Sequence, residues 1–199
     1  MAIEPNPAPE PVVEALHQGL GHGTAKRSWF AKLFAARGPG RFLSMPHRVA
    51  YLRLDEIRSD ADLRSVARFE SWRFLLHEAV PAAQTDEASD LALVGAATVR
   101  ADSNSYSGLS TGPLVAATEE AIHRAEDHPR VKGGSFEAIL LIAPAVYVIG
   151  LWLRDLEHRD DFVMPIPPVS APFRAYEEMS SDAFLTALNG LADKVRGFQ

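Results

Sequence analysis

Four serines and a threonine crowd one short stretch, Asp102 to Pro113, which holds Ser103, Ser105, Ser107, Ser110 and Thr111 together with Gly108 and Gly112. Hydroxyls near the start of a helix favour anions, because backbone N–H groups there lack partners and the helix dipole is positive at that end. Thr111-Gly112-Pro113 has the form of such a start, with proline at the first helical position. The stretch therefore makes Ser107, Ser110 and Thr111 candidate anion-binding residues. It lacks the glycine and lysine spacing of a phosphate loop and the glycine pattern of a dinucleotide site. A surface loop leading into a capped helix is its plainer reading.

Nucleophilic chemistry finds little support. A reactive serine needs a base and a group that orients the base, and no Gly-x-Ser-x-Gly elbow is present. His17 with His22, and His123 with His128, are each five residues apart, which does not place either pair on one helical face. His77 lacks the second histidine of a zinc-protease helix. Asp160-Asp161 and Glu177-Glu178 are adjacent pairs whose side chains diverge, so neither forms an acid–base dyad by itself. No catalytic residue, metal site or cofactor is expected.

Charge distribution says more. Residues 15–54 contain seven Lys or Arg and no acid, whereas residues 55–199 carry 13 basic and 23 acidic side chains. Within the basic segment, Lys26, Arg27, Lys32 and Arg37 surround Trp29, Phe30, Leu33 and Phe34, which share one side of a helix at the spacing observed. Three roles compete for this arm. It is the first helix of the domain with its rings in the core, a docking helix for a protein partner, or a basic element for nucleic acid or an anionic membrane surface. The glycines and prolines on both sides favour docking. Lys26, Arg27, Trp29, Phe30, Lys32 and Phe34 are then the expected partner-binding residues.

The whole chain has 199 residues, a net charge of −6 and no cysteine. That balance disfavours nucleic acid as the main partner. The lack of cysteine removes disulfide and thiolate chemistry and fits a reducing, cytoplasmic setting. No export signal is expected at the proline-rich, acidic start. The uncharged run Ala138–Leu153 is shorter than a spanning helix and contains Pro144, so no membrane span is expected.

The elements follow from periodicity. Arg48–Leu54 reads as a strand. A helix from Ser59 or Asp60 to Ala79 would carry Leu63, Val66, Phe69, Trp72, Leu75 and Leu76. Leu91–Val99 reads as a strand, Asp102–Gly112 as a loop and Pro113–Asp127 as a helix. Phe136–Ile142 and Val146–Leu153 read as two buried strands joined at Pro144. Phe162–Pro168 is a further strand, and Ser180 or Ser181 caps a last helix. The expected fold is α/β or α+β, a mixed sheet of about five strands with three helices. A proline-rich tail and arm (residues 1–46) would precede one domain (residues 47–199). The expected function is a non-enzymatic interaction subunit of a larger assembly or homo-oligomer. The alternatives are an anion-binding protein or enzyme at the 102–113 loop, and nucleic-acid binding through the arm.

Overall fold

The computed structural model describes Ile3 and residues 7–22, 41–79 and 91–197. Eight strands follow the order β4-β3-β2-β1-β5-β6-β7-β8 in one sheet: β1 (Arg41–Tyr51), β2 (Arg68–Ala79), β3 (Leu91–Arg100), β4 (Tyr106–Ser110), β5 (Phe136–Ala143), β6 (Val148–Asp155), β7 (Phe162–Pro165) and β8 (Met179–Ser180). The helices are α1 (Glu10–His22), α2 (Leu63–Val66), α3 (Pro113–Asp127), α4 (Pro129–Lys132) and α5 (Ser181–Arg196). The sheet is mixed, since β1 runs parallel to β5 while β5 to β8 and β2 to β4 pair antiparallel. A mixed α+β architecture is therefore present. Among the described residues, the expected five strands become eight and the expected three helices become five.

The chain divides into two compact units. One comprises residues 1–6, 47–70 and 116–199; the other comprises residues 7–46 and 71–115.

In the first unit, β5 and β6 pair from Phe136↔Asp155 to Ala143↔Val148. Their connection is a 3-10 turn at Pro144–Val146, closed by Tyr147 in the left-handed region at φ 55. This is the hairpin expected at Pro144. Nearly every β5 and β6 side chain is buried, as continuous apolar runs require. One core joins Ile139, Leu141, Val148, Trp152 and Val163 to Phe184, Leu185 and Leu188 of α5. Ser180 caps α5 by accepting the N–H of Ala183 at 3.2 Å. Helix α3 spans the expected residues and buries Thr118, Ala121, Ile122 and Ala125, one stripe at helical spacing.

In the second unit, α1 packs on β3 and β4. Its Val12 and Leu16 are fully enclosed with Trp72, Phe74 and Leu76 of β2 and Ala97 and Val99 of β3. The expected long helix to Ala79 is thus corrected. Only α2 is helical, and Trp72, Phe74 and Leu76 alternate on a strand. The 102–112 stretch is likewise not all loop, because Tyr106–Ser110 forms β4 against β3, with a bulge between Thr98 and Val99.

Gly19 lies in α1 where a Cβ would come within 2.1 Å of Cγ of Tyr106. In a solvent-facing helix, Gly→Ala stabilises by about 1 kcal/mol. Here the sign reverses: Gly19→Ala is expected to destabilise by about 1–3 kcal/mol through overpacking, read as a lower urea midpoint. A raised midpoint would show that α1 does not seat on β4.

Candidate functional site

The expected arm residues Lys26, Arg27, Trp29, Phe30, Lys32 and Phe34 lie outside the described residues. The candidate anion loop is described, and its three residues are not equivalent. Ser110 belongs to β4, where its hydroxyl accepts from Nη2 of Arg73 at 2.8 Å and lies 3.3 Å from the Ala96 carbonyl. Thr111 follows it and is exposed, as is Ser107 at the bulge. A guanidinium is thereby brought to a segment that carries no basic residue of its own. At the far end of the segment, Arg100 and the Ser103 hydroxyl hold the Asp102 carboxyl down to about 2. That carboxylate stays ionised at neutral pH and is paired with Arg100 at 2.8 Å.

Among the described residues, the histidines do not gather into a shared site. His17 is exposed on α1. His123 lies 3.3 Å from Glu126 on the α3 surface. His128 Nδ1 accepts the Arg130 N–H and caps α4, while its Nε2 lies 3.0 Å from Glu178. Among the described residues, no group of three or more His, Asp or Glu is placed to hold a metal ion.

The most organised polar site lies in the first unit, at the turn between β6 and β7. Asp155 ends β6 and is 4% exposed. Its carboxylate accepts the N–H groups of Glu157, His158 and Asp160 at 2.8–3.2 Å. Burial pushes its pKa up, but these three backbone donors outweigh that and leave it below the usual aspartate value. Asp161 is also buried. It receives Trp152 Nε1 at 3.1 Å, the Asp155 N–H at 3.0 Å and Arg64 Nε at 2.8 Å, and Arg64 Nη2 closes a two-pronged pair. The bond to Asp161 holds the Arg64 guanidinium above its usual pKa. Arg130 adds a second clamp: it bonds Glu178 and Asp160, and its guanidinium lies 4.5 Å from the Phe162 ring centre.

Over this framework opens a cleft of about 310 Å³ lined by Asp62, Arg64, Arg159, Asp160, Asp161, Ser180, Ser181 and Asp182. Both of its arginines are paired, Arg64 with Asp161 and Arg159 with Asp62 at 3.4 Å. Of the four carboxylates in its lining, Asp161, Asp62 and Asp160 are paired with Arg64, Arg159 and Arg130. Asp160 and Asp161 have different surroundings: Asp161 is buried and bonded, whereas the Asp160 side chain is largely exposed. They do not act as a dyad.

Sequence reading missed Arg64 because its partner lies 97 residues away. It missed the contact of Ser44 with His77, 33 residues apart, for the same reason. No protein-family model matches the chain, and neither the curated proteins nor the solved structures searched give a match. Among the described residues, no helix is long and apolar enough to cross a membrane.

Two outcomes test the turn. Asp161→Asn keeps the shape but removes the charge facing Arg64, and is expected to cost about 3 kcal/mol in urea unfolding. Asp155 has a lowered pKa, so its stabilising contribution is complete above the unfolded value near 3.8 and is lost as pH falls through the folded value. Asp155→Asn should therefore flatten the acid limb of stability against pH, with no change in its alkaline limb.

Proposed function

We propose that the chain is a non-enzymatic interaction subunit, part of a larger assembly or a homo-oligomer. It docks through the arm around residues 26–37. Trp29, Phe30 and Phe34 are the apolar anchors, and Lys26, Arg27 and Lys32 supply steering charge. The observation that carries this reading is the closure of the second unit by α1. Val12 and Leu16 cover Trp72, Phe74 and Leu76, so this sheet face has a helical cover from outside the arm. The charge contrast between residues 15–54 and the acidic remainder supports the same role. The cysteine-free composition suits a reducing, cytoplasmic setting for such a subunit.

The test replaces Trp29, Phe30 and Phe34 together by Ser in the full chain. The cooperative melt is expected to stay within about 0.5 kcal/mol of the parent, the range of surface changes. The sedimenting mass of the associated species should fall to that of the single chain. Loss of the cooperative melt would place the rings in the core and end the proposal. Raising the salt should slow association without abolishing it. A linear, steep fall of log affinity with log salt would instead favour nucleic acid as the arm's partner.

A second reading is favoured by the contact of Arg73 with Ser110. An anionic small molecule would bind at Ser110 and Thr111, with Ser107 near it and Arg73 as counter-charge. Inorganic phosphate should then raise the melting temperature, and Arg73→Gln should remove the rise. An equal rise in both proteins would rule this site out.

A further inference from the structure

We propose that Ser44 is an activated nucleophile with His77 as its base, a site for transfer of an acyl group from an ester. It does not depend on the docking role, and it replaces the non-enzymatic part of that reading with an activity. Three observations in the second unit converge. First, Ser44 Oγ lies 2.8 Å from His77 Nδ1, within the reach a base needs to take a hydroxyl proton. The Nε2–H tautomer is the one this proposal requires, since in it the hydroxyl donates to Nδ1 along the path that proton transfer to the base needs.

Second, the two partners differ in access. His77 is 6% exposed, while Ser44 is only partly buried. The base is held among packed residues, and the oxygen it serves can be reached from outside. Third, Met45 adopts φ 49 directly before Pro46. A left-handed backbone is costly for a side chain of this size, and a following proline narrows the choice further. Such strain costs about 1–3 kcal/mol and persists where its surroundings over-determine it, commonly at functional sites. It sits here on the residue after the candidate nucleophile. Leu43 is exposed and Met45 and Pro46 are partly so, so the chain on both sides of the serine is open to an approaching ester.

The step balances without an added reagent. Ser44 Oγ forms a bond to the ester carbonyl carbon as its proton passes to Nδ1 of His77. The carbon–oxygen bond to the alcohol then breaks, and the leaving alkoxide takes that proton. Water, deprotonated by the same nitrogen, releases the acyl group as a carboxylic acid and restores the serine.

An alkyl fluorophosphonate tests the site, because it loses fluoride when an activated serine attacks its phosphorus. The full chain is incubated with the probe, folded and in urea, and the adduct is located by peptide mass. The expected result is one adduct, on Ser44, in the folded chain and none in the unfolded chain. Ser44→Ala should abolish it, and His77→Gln should slow it at least about 100-fold, the lower range of a general base. Ser103 and Ser105, which are exposed and lie in the same unit, serve as internal controls. Three results would each overturn the proposal: no adduct on the folded chain, equal labelling of Ser44 when folded and unfolded, or labelling of Ser103 at the rate of Ser44. The comparison of folded with unfolded parent chain decides the question even where His77→Gln loses its cooperative melt.

Discussion

The carboxylate of Asp161 is the contact on which one end of the first unit depends. A buried charge is tolerable only when several donors replace its water. Asp161 collects an indole N–H from Trp152, a main-chain N–H from Asp155 and two guanidinium bonds from Arg64. Each of those donors fixes a different piece of chain. Trp152 lies in the core beneath α5, Asp155 begins the turn, and Arg64 belongs to the single-turn helix α2. That helix is too short to be stable on propensity alone. Arg64, bonded also to the Asp155 carbonyl, ties it to the sheet. The cleft inherits its rigidity from the same bonds, since Arg64 and Asp161 form part of its wall.

The sheet face that begins as core at Ile139 and Trp152 becomes ionic two residues further on. Glu137 is 3% exposed and stands opposite Arg154 in the register of β5 and β6. Arg48 of β1 approaches it at 3.3 Å from the other side, and Arg154 pairs with it directly. Opposite charges on adjacent strands contribute about 0.2–1 kcal/mol each, and two arginines compensate the burial of one carboxylate better than one would. Arg48 also lies 4.6 Å from the ring centre of Phe69, so that half-exposed ring has a cation over its face. Core and ion pairs thus share one pleated surface without a boundary element between them.

How much of this was legible depended on whether a segment obeyed one period or two. Helix α3 and the capped start of α5 each showed a single helical stripe and a clear stop, and both are present as read. The Pro144 hairpin was legible because apolar runs this short, rich in Val and Ile, suit buried strands. By contrast, Leu63, Val66, Phe69, Trp72 and Leu76 fit a helix, while Trp72, Phe74 and Leu76 fit a strand. The second pattern prevails because β2 is buried on both faces, with Leu75 and Trp72 both enclosed, and burial on both sides erases the polar alternation that marks a strand. In the polar turn, the sequence shows only that Asp160 and Asp161 are adjacent and form no dyad by themselves. Asp155 and Asp161 look like any solvated acids until the sheet brings Arg64 and three backbone N–H groups to them. Spacing along the chain holds no record of contacts made at a separation of 97 residues.

The glycines near the N-terminus show how a correct local rule yields to packing. Glycine ordinarily weakens a helix, yet α1 runs through Gly19 and Gly21 to His22. A helical glycine costs about 1 kcal/mol against alanine. At position 19 this cost is offset, because only a residue without a Cβ lets the helix close on the Tyr106 ring while Val12 and Leu16 reach the sheet. The helix is therefore held by tertiary contact rather than by its own propensity.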